Sequence, residues 1–326
     1  MLNVNRNFIN RFNKAVAAAE AFIFLIDFEG KKPILFKRDE AATKGLWFQT
    51  PEYTNSPVET MILQKSAGIK SKPVSIDYYQ KAFDLVQKHL KNGDTYLLNL
   101  TMPSRIETNL TLKQIYQRAQ APYKILFRDE FVCYTPESFI KTEGNTIMTY
   151  PMKGTINADM PNAENHLLSD KKETYEHHTI VDLLRNDLAQ VATGIEVRKF
   201  KYIDVIQTNT GKLLQMSSEI SGVLPSGWRK HAAEMFLKLL PAGSVSGAPK
   251  KKTLEIIQSA EKTDRGYYTG IFGYYDGHNF DTAVLIRFIE KKGARLYYHS
   301  GGGITALSRL TDEYQELKQK IYVPIN

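Results

Sequence analysis

The stretch YTGIFGYYDGHNFDTAVLIRFIEKKGARLYYHSGGGI, residues 268–304, contains three runs rich in aromatic and β-branched residues, at 268–275, 283–289 and 295–299. Short turns separate them, marked by Asp276-Gly277 and Lys292-Gly293. Parallel neighbours need a long crossover connection, whereas antiparallel neighbours can be joined by a tight turn. This segment therefore predicts a sheet built largely of antiparallel strands.

Further strands and several helices are predicted outside this stretch. Strand-like runs lie at 22–28, 33–36, 96–100 and 123–127, and helical spacing of apolar residues occurs at 76–90, 172–191, 228–240, 250–262 and 310–321. Ser75 is a candidate N-cap for the first of these helices. The fold class is therefore α+β with a large antiparallel sheet content. The best boundary candidate, 70–73, separates a short N-terminal region packed on the core (1–74) from a main region (75–326).

Composition and charge exclude several classes of protein. With 326 residues, 42% of them hydrophobic and 24% charged, the chain is globular rather than disordered. The net charge is +8, but the basic residues are dispersed and do not alternate with aromatics, so we expect no nucleic-acid binding. The apolar run 15–26 is interrupted by Glu20 and is too short to span a bilayer, so we expect no membrane association. We expect a cytoplasmic protein whose single cysteine, Cys133, lies in the core.

Two acidic pairs are candidates for binding a cation. Glu173 and Glu176 are three residues apart and share one helix face, and Glu313 and Glu316 do the same on the last predicted helix. Two such helices facing each other could hold Mg²⁺ between carboxylates. Pairs at this spacing also arise by chance in a chain with 35 acidic residues. The spacing alone therefore leaves the metal site open.

Three other features suggest anion binding or nucleophilic chemistry, each with a plain structural alternative. Gly301, Gly302 and Gly303 are expected to form a turn whose N–H groups bind an anion, or only a tight connection between strand and helix. Arg287 lies in an apolar run that predicts a strand, where it needs either a substrate carboxylate or a salt bridge. Lys153 is a nucleophile or base, or an ordinary surface lysine.

Seven motifs occur in an order that resembles the chorismate-utilising enzymes. They are TPESF (135–139), PMKGT (151–155), EHHTIVDLLRNDL (176–188), LLPAGSVSGAPKKKTLEII (239–257), RGYYTGIFGY (265–274), SGGGI (300–304) and DEYQELKQK (312–320). This family includes anthranilate synthase component I, aminodeoxychorismate synthase component I, and the isochorismate and salicylate synthases. The resemblance covers about residues 76–326. It implies a two-layered antiparallel β-sheet core with helices outside, and a site between the layers.

The resemblance also implies which residues bind the metal and the substrate. Glu176 and Glu316 would be the main Mg²⁺ ligands, with Glu173 and Glu313 nearby, and the metal would clamp the ring carboxylate of chorismate. The remaining substrate contacts would be Thr155, Ser246, Tyr268, Arg287, Gly301, Gly302, Gly303 and Lys320. Chorismate is a dianion, and cations and backbone N–H groups are suitable partners for two carboxylates in a partly dry pocket.

Position 153 indicates which member of the family the chain resembles most. A lysine at this place in the motif is similar to what the aminodeoxychorismate synthases have. The family members that make anthranilate or isochorismate typically carry a small residue there. The resemblance implies that an uncharged Lys153 amine adds to the ring and that ammonia then displaces it. Glu137 would be the general acid for the departing hydroxyl and would need a raised pKa. The product would be 4-amino-4-deoxychorismate, for 4-aminobenzoate and folate synthesis, with ammonia supplied by a glutamine amidotransferase (glutaminase) subunit.

The chain departs from its relatives at two positions and leaves alternatives open. Leu97 replaces a lysine with which water-adding relatives activate water, which argues against isochorismate or salicylate chemistry. Gln215 replaces a histidine that relatives often carry near the leaving hydroxyl. We also expect no tryptophan feedback site, because only about seventy-five residues precede the region of resemblance, whereas many relatives carry a long N-terminal region that binds tryptophan. Anthranilate synthase component I is the enzymatic alternative, and a non-catalytic partner of a glutaminase is the alternative of another class.

Overall fold

The computed structural model describes residues 2, 4–57, 68–208 and 211–324. The strands in this part of the chain are β1 (Phe22–Ile26), β2 (Ile34–Lys37), β3 (Leu46–Gln49), β4 (Ile69–Lys72), β5 (Leu97–Thr108), β6 (Tyr123–Phe127), β7 (Phe131–Thr135), β8 (Ser138–Glu143), β9 (Thr146–Thr149), β10 (Met152–Asn157), β11 (Thr193–Thr208), β12 (Gly211–Val223), β13 (Gly247–Ala248), β14 (Ile271–Tyr275), β15 (Phe280–Val284), β16 (Phe288–Lys292) and β17 (Arg295–Ile304). The helices are α1 (Arg6–Ala17), α2 (Arg38–Ala41), α3 (Ile76–Lys91), α4 (Leu112–Arg118), α5 (Ala163–Ser169), α6 (Lys171–Leu188), α7 (Ala232–Leu239), α8 (Gly243–Ser246), α9 (Lys250–Glu261) and α10 (Leu310–Gln319), with a 3₁₀ turn over Trp228–His231.

The strands form two antiparallel sheets. Sheet I has the order β10-β12-β9-β8-β15-β14-β1-β2, with β11 paired to the long strand β12. Sheet II has the order β13-β5-β17-β16-β7-β6-β3, with β4 paired to β5. The predicted α+β class with a two-layered antiparallel core is therefore confirmed.

The two sheets pack face to face. The uniformly apolar sequence of β1 is explained by what covers its two faces. Side chains alternate between the two faces of a strand. Ile23 and Leu25 pack in the core between the sheets, whereas Phe22 and Phe24 join the core under α1 and α7. Both faces are thus covered, and all five residues of β1 are buried.

Helices cover the outer faces of both sheets. Residues of α1, α6 and α7 pack with sheet I, and residues of α3, α9 and α10 pack with sheet II. The spacing of apolar residues predicts all of these helices except α1, and the Ser75 hydroxyl accepts a hydrogen bond from the Tyr78 N–H as the expected N-cap. No helix in the described ranges is long and apolar enough to cross a membrane.

The predicted strand 283–289 is wrong. The chain leaves sheet I at the end of β15 and enters sheet II at the start of β16, so 285–287 belong to neither sheet. Arg287 has a left-handed φ of 55°, which breaks the extended backbone. Tyr268 likewise precedes β14 instead of lying within it. Apolar residues continue through the crossing because it is buried between the layers, so the sequence shows no break.

The glycine run was also predicted wrongly as a turn. Gly301, Gly302 and Gly303 continue β17 and pair with Thr101, Leu100 and Asn99 of β5. A Cβ on Gly301 would lie 2.1 Å from the Leu100 carbonyl oxygen. The glycines therefore serve close approach of neighbouring groups and not a reversal of the chain.

Candidate active site

A cavity of about 510 Å³ opens between the two sheets and is bounded by helices α6 and α10. Twelve of the fourteen residues expected at a site line it: Glu137, Lys153, Thr155, Glu173, Glu176, Tyr268, Arg287, Gly301, Gly302, Gly303, Glu316 and Lys320. These residues lie far apart in the sequence and reach the cavity from β10, α6, β17, α10 and three connecting segments. The fold therefore brings the motifs together in one place.

Two expected site residues, Ser246 and Glu313, do not line the main cavity. Ser246 is fully buried, and its hydroxyl donates to the Ala242 carbonyl at 2.8 Å. It lines a smaller adjoining cavity that also reaches Lys153 and Glu176. The Glu313 side chain lies behind Gly302, with Oε2 3.5 Å from the point where a Cβ on that glycine would be.

Lys153 extends from β10 toward α6. Its Nζ lies 3.4 Å from Glu176 Oε2, and 36% of its side chain is exposed. The pairing of β10 with β12 shifts register between Lys153 and Thr155, at Gly154, which has a φ of +73°. A Cβ on Gly154 would lie 3.1 Å from Glu173 Oε2. This glycine bulge therefore lets α6 approach β10 closely enough to hold the Lys153 amine beside the carboxylates.

Glu137 lies in the bend between β7 and β8. Its Oε1 accepts a 2.6 Å hydrogen bond from the Ser244 hydroxyl. Burial raises the pKa of the Glu137 carboxyl above its ordinary value of 4.5, against the opposing effects of the Ser244 hydrogen bond and the positive charge of Lys153. The pocket therefore favours the protonated acid, which is the form that a general acid needs.

Lys320 ties the end of α10 to the glycine strand. Its Nζ donates to the Gly301 carbonyl at 2.9 Å and to Glu316 Oε1 at 2.6 Å. Burial lowers the pKa of Lys320, and Glu316 acts in the opposite direction. The amine is therefore fixed in position at the cavity wall before any ligand arrives.

Arg287 and Tyr268 bring two further polar groups to the cavity wall. The Arg287 guanidinium lies 5.1 Å above the Tyr322 ring, and its buried Nε has no hydrogen-bond partner among the described residues. Burial raises the pKa of Tyr268, which stays a neutral phenol. A buried donor without a partner is costly, and a ligand carboxylate would supply the acceptor.

The carboxylates at the cavity fit the donor chemistry of Mg²⁺ without forming a ready-made cage. In the described ranges, no group of three or more His, Cys, Asp or Glu residues is arranged to hold a metal. Mg²⁺ commonly takes one or two protein carboxylates and completes its shell with water and substrate oxygens. A Cβ on Gly302 would lie 2.9 Å from Glu316 Oε1, so the glycine leaves space beside this carboxylate. The residues therefore suit a metal that is held jointly with a substrate.

Several cavity residues were missed from the sequence. Ser244 and Asn99 line the wall, and so does His299, whose Nε2 is 2.6 Å from Glu290 Oε1. The two positions that depart from relatives are also near the site. Gln215 lines the main cavity and Leu97 the smaller one. His299 directly precedes the glycine motif, which was a signal that could have been used.

Comparison with known proteins agrees with this geometry. The family model described as chorismate binding enzyme matches residues 26–326, which begins well before the quoted motifs. An uncharacterized PabA-like protein of Pasteurella multocida is 51% identical, over 98% of this chain and 98% of its own length. Aminodeoxychorismate synthase component 1 of Bacillus subtilis is 29% identical, over 79% of this chain and 57% of its own length. The crystal structure of anthranilate synthase component I from Streptococcus pneumoniae superposes with a TM-score of 0.67 at 26% identity, covering 78% of this chain and 59% of the other.

The family match covers the strands from β2 onward, the helices around the cavity and all of the motifs that line it. The chain therefore belongs to the chorismate binding enzyme family and is an enzyme that acts on chorismate.

Proposed function

We propose that the protein is an aminodeoxychorismate synthase component I, which converts chorismate and ammonia to 4-amino-4-deoxychorismate. One observation carries the proposal: the Lys153 amine lines the same cavity as the buried acid Glu137. Sequence identity does not choose between this activity and that of anthranilate synthase, because an aminodeoxychorismate synthase component 1 is 29% identical to this chain and an anthranilate synthase component 1 is 32% identical. The choice therefore rests on Lys153.

The proposed reaction uses two allylic displacements. The Lys153 ammonium first loses a proton to solvent, and the amine so formed makes a bond to ring carbon C2 while the ring double bonds shift and the C4–O bond breaks. Glu137 gives its proton to the departing hydroxyl, which leaves as water. Ammonia then forms a bond to C4, the double bonds shift back and the bond from Lys153 to C2 breaks. Nitrogen is thereby placed at C4, and the enolpyruvyl group is retained.

Binding of the dianionic substrate is assigned to the cations of the wall. Arg287 would donate hydrogen bonds to one carboxylate of the substrate, because its buried Nε has no hydrogen-bond partner among the described residues. Glu176 and Glu316 would hold Mg²⁺, which when bound would neutralise the ring carboxylate. Lys320, already fixed by Gly301 and Glu316, would contribute a further positive charge.

The proposed source of ammonia is a glutaminase subunit. Glutaminases of this kind use a nucleophilic cysteine, and this chain has only Cys133. The Cys133 thiol is fully buried, its pKa is raised by burial, and it donates to the Ile286 carbonyl. A buried thiol with a raised pKa is a poor nucleophile, which supports a separate protein as the supplier.

The position of the new amino group tests the proposal. Purified protein is incubated with chorismate, Mg²⁺ and ammonium, and the product is identified by mass spectrometry and NMR. The expected product carries nitrogen at C4 and retains the enolpyruvyl group. A product aminated at C2 would overturn the proposal and favour anthranilate synthase.

A lysine variant tests the nucleophile separately. Lys153→Ala should lower the rate of 4-amino product formation by at least about a hundredfold, or redirect nitrogen to C2, because no amine remains to occupy that carbon. Lys199→Ala is the matched control, since the Lys199 side chain is 65% exposed and lies outside the cavity wall. An unchanged rate and product in Lys153→Ala would remove the covalent role.

A further inference from the structure

We propose that Ser244 is a positioning residue that determines which oxygen of Glu137 carries the acidic proton. The inference rests on the proposed function, in which Glu137 is the general acid. The Ser244 hydroxyl lies 2.6 Å from Glu137 Oε1, and both side chains line the main cavity. That distance is typical of a short hydrogen bond between a hydroxyl and a carboxyl group.

The backbone holds Ser244 firmly against Glu137. Gly243, on one side, is packed so closely that a Cβ would lie 2.7 Å from Asp187 Oδ2. On the other side, the Val245 carbonyl accepts a 2.8 Å hydrogen bond from the buried Arg265 guanidinium. Because both neighbours are fixed, the Ser244 side chain can adjust only by rotating about its own bond. The hydroxyl is therefore a fixed reference point for the carboxyl group.

The hydrogen bond distinguishes the two oxygens of Glu137. Oε1 accepts a hydrogen bond from the Ser244 hydroxyl, whereas Oε2 has no hydrogen-bond partner among the described residues. With the Ser244 hydroxyl as the donor, Oε1 is the accepting oxygen of the protonated carboxyl group. The proposal therefore places the acidic proton on Oε2, from which it can be transferred to a ligand.

The charged groups that face Glu137 act in the same direction as Ser244. Lys153 of β10, Arg287 of the sheet crossing and Lys320 beyond α10 all favour the ionised carboxyl, and burial opposes them. Among these influences, the Ser244 hydrogen bond is the largest that lowers the pKa of Glu137. Removing the hydroxyl should therefore raise the pKa of Glu137 as well as release its orientation.

The pH dependence of turnover separates positioning from simple packing. Ser244→Ala should lower kcat roughly two- to tenfold, the usual effect of losing a hydrogen bond between neutral groups. The high-pH limb of the kcat profile of Ser244→Ala should also move to higher pH, because Glu137 then stays protonated up to a higher pH. Ser244→Thr retains a hydroxyl and should restore both properties. Ser259→Ala is the control, since the Ser259 hydroxyl is exposed and donates to the backbone carbonyl of Glu255 in its own helix.

A titration that does not depend on turnover separates this proposal from the proposed function. The carboxyl carbon of Glu137 is followed by ¹³C NMR in glutamate-labelled protein and assigned with Glu137→Gln. In Ser244→Ala the titration midpoint should rise. A midpoint and a high-pH limb that both stay in place would overturn the role of Ser244, even if the product carries nitrogen at C4. A raised midpoint with a product aminated at C2 would support Ser244 and overturn the proposed function.

Discussion

At the scale of single residues, polar groups at the cavity lower the stability of the folded state. Glu137 is held by one hydroxyl in a pocket that disfavours its charge, and the Arg287 Nε has no partner among the described residues. Burying polar groups without full compensation costs free energy. These groups do not contribute to the stability of the fold, which is consistent with the proposed roles of Glu137 and Arg287 toward a ligand.

The burial of Glu137 predicts a pH-dependent gain from removing its charge. The pKa of Glu137 is raised in the folded state, so its contribution to stability is fully present below the unfolded value near 4.5 and is lost as pH rises through the folded value. The free energy of unfolding of Glu137→Gln, relative to wild type, should therefore increase with pH over that window. Urea unfolding at a series of pH values measures it.

The matched control for that titration is Glu143→Gln. Glu143 is exposed at the end of β8, so its substitution should change stability by about 0.5 kcal/mol or less at every pH. If Glu137→Gln and Glu143→Gln gave parallel curves, Glu137 would not be a buried acid in solution.

The side chains of the proposed site could be predicted from the sequence to different degrees. Lys153, Glu137 and Glu176 lie within motifs that resemble those of the family, so the motifs alone are enough to name them. Ser244 could not be linked to Glu137, because the hydrogen bond joins residues 107 positions apart and leaves no spacing to detect. Contacts between distant segments are set by the packing of the sheets and not by local periodicity.

At the scale of elements, helices were predicted better than strands. The helices α3, α9 and α10 have clear apolar spacing. The long strand β11 is largely exposed and rich in charged residues, so it shows no continuous apolar run. Strands that are covered on only one side or on neither give weak signals, and this explains why β11 was missed.

The contact between β17 and α10 predicts the effect of a single added methyl group. In Gly302→Ala, the new Cβ would meet Glu316 Oε1 at 2.9 Å and push this carboxylate away from its place. We expect kcat/KM for chorismate to fall about tenfold or more, with a loss of stability of about 1–3 kcal/mol. Steady-state kinetics and urea unfolding measure the two effects.

Gly68→Ala provides the comparison, because a Cβ at Gly68 would meet no atom of the described residues within 4 Å. It should leave kcat/KM unchanged. Equal kinetic losses in the two variants would show that Gly302 is not needed for the placement of Glu316.

At the scale of the whole molecule, one buried ion pair joins segments from across the chain. Arg265 donates to Glu261 of α9 at 2.6 Å, to the Asn99 carbonyl of β5 at 2.7 Å and to the Val245 carbonyl of α8 at 2.8 Å. Glu261 in turn accepts from the Thr101 N–H. Asn99 and Val245 both line the cavity, so this network holds part of the cavity wall in place.

Breaking this network should destabilise the whole fold. Arg265→Met leaves Glu261 buried without its charge partner, which typically costs about 3–5 kcal/mol. Replacing both residues by methionine should cost less than the single change, because no uncompensated charge remains. Arg295→Met, at an exposed position that begins β17, is the control and should change stability by about 0.5 kcal/mol or less. Urea unfolding of the four proteins would contradict this account if the double variant were the least stable.

The crossing at 285–287 has a mechanical consequence. This short segment connects the two sheets covalently beside Arg287, so the sheets cannot separate at that point. Arg287 is thus tied to both sheets through the backbone, whereas Glu176 and Glu316 of the same cavity wall are carried by the helices α6 and α10.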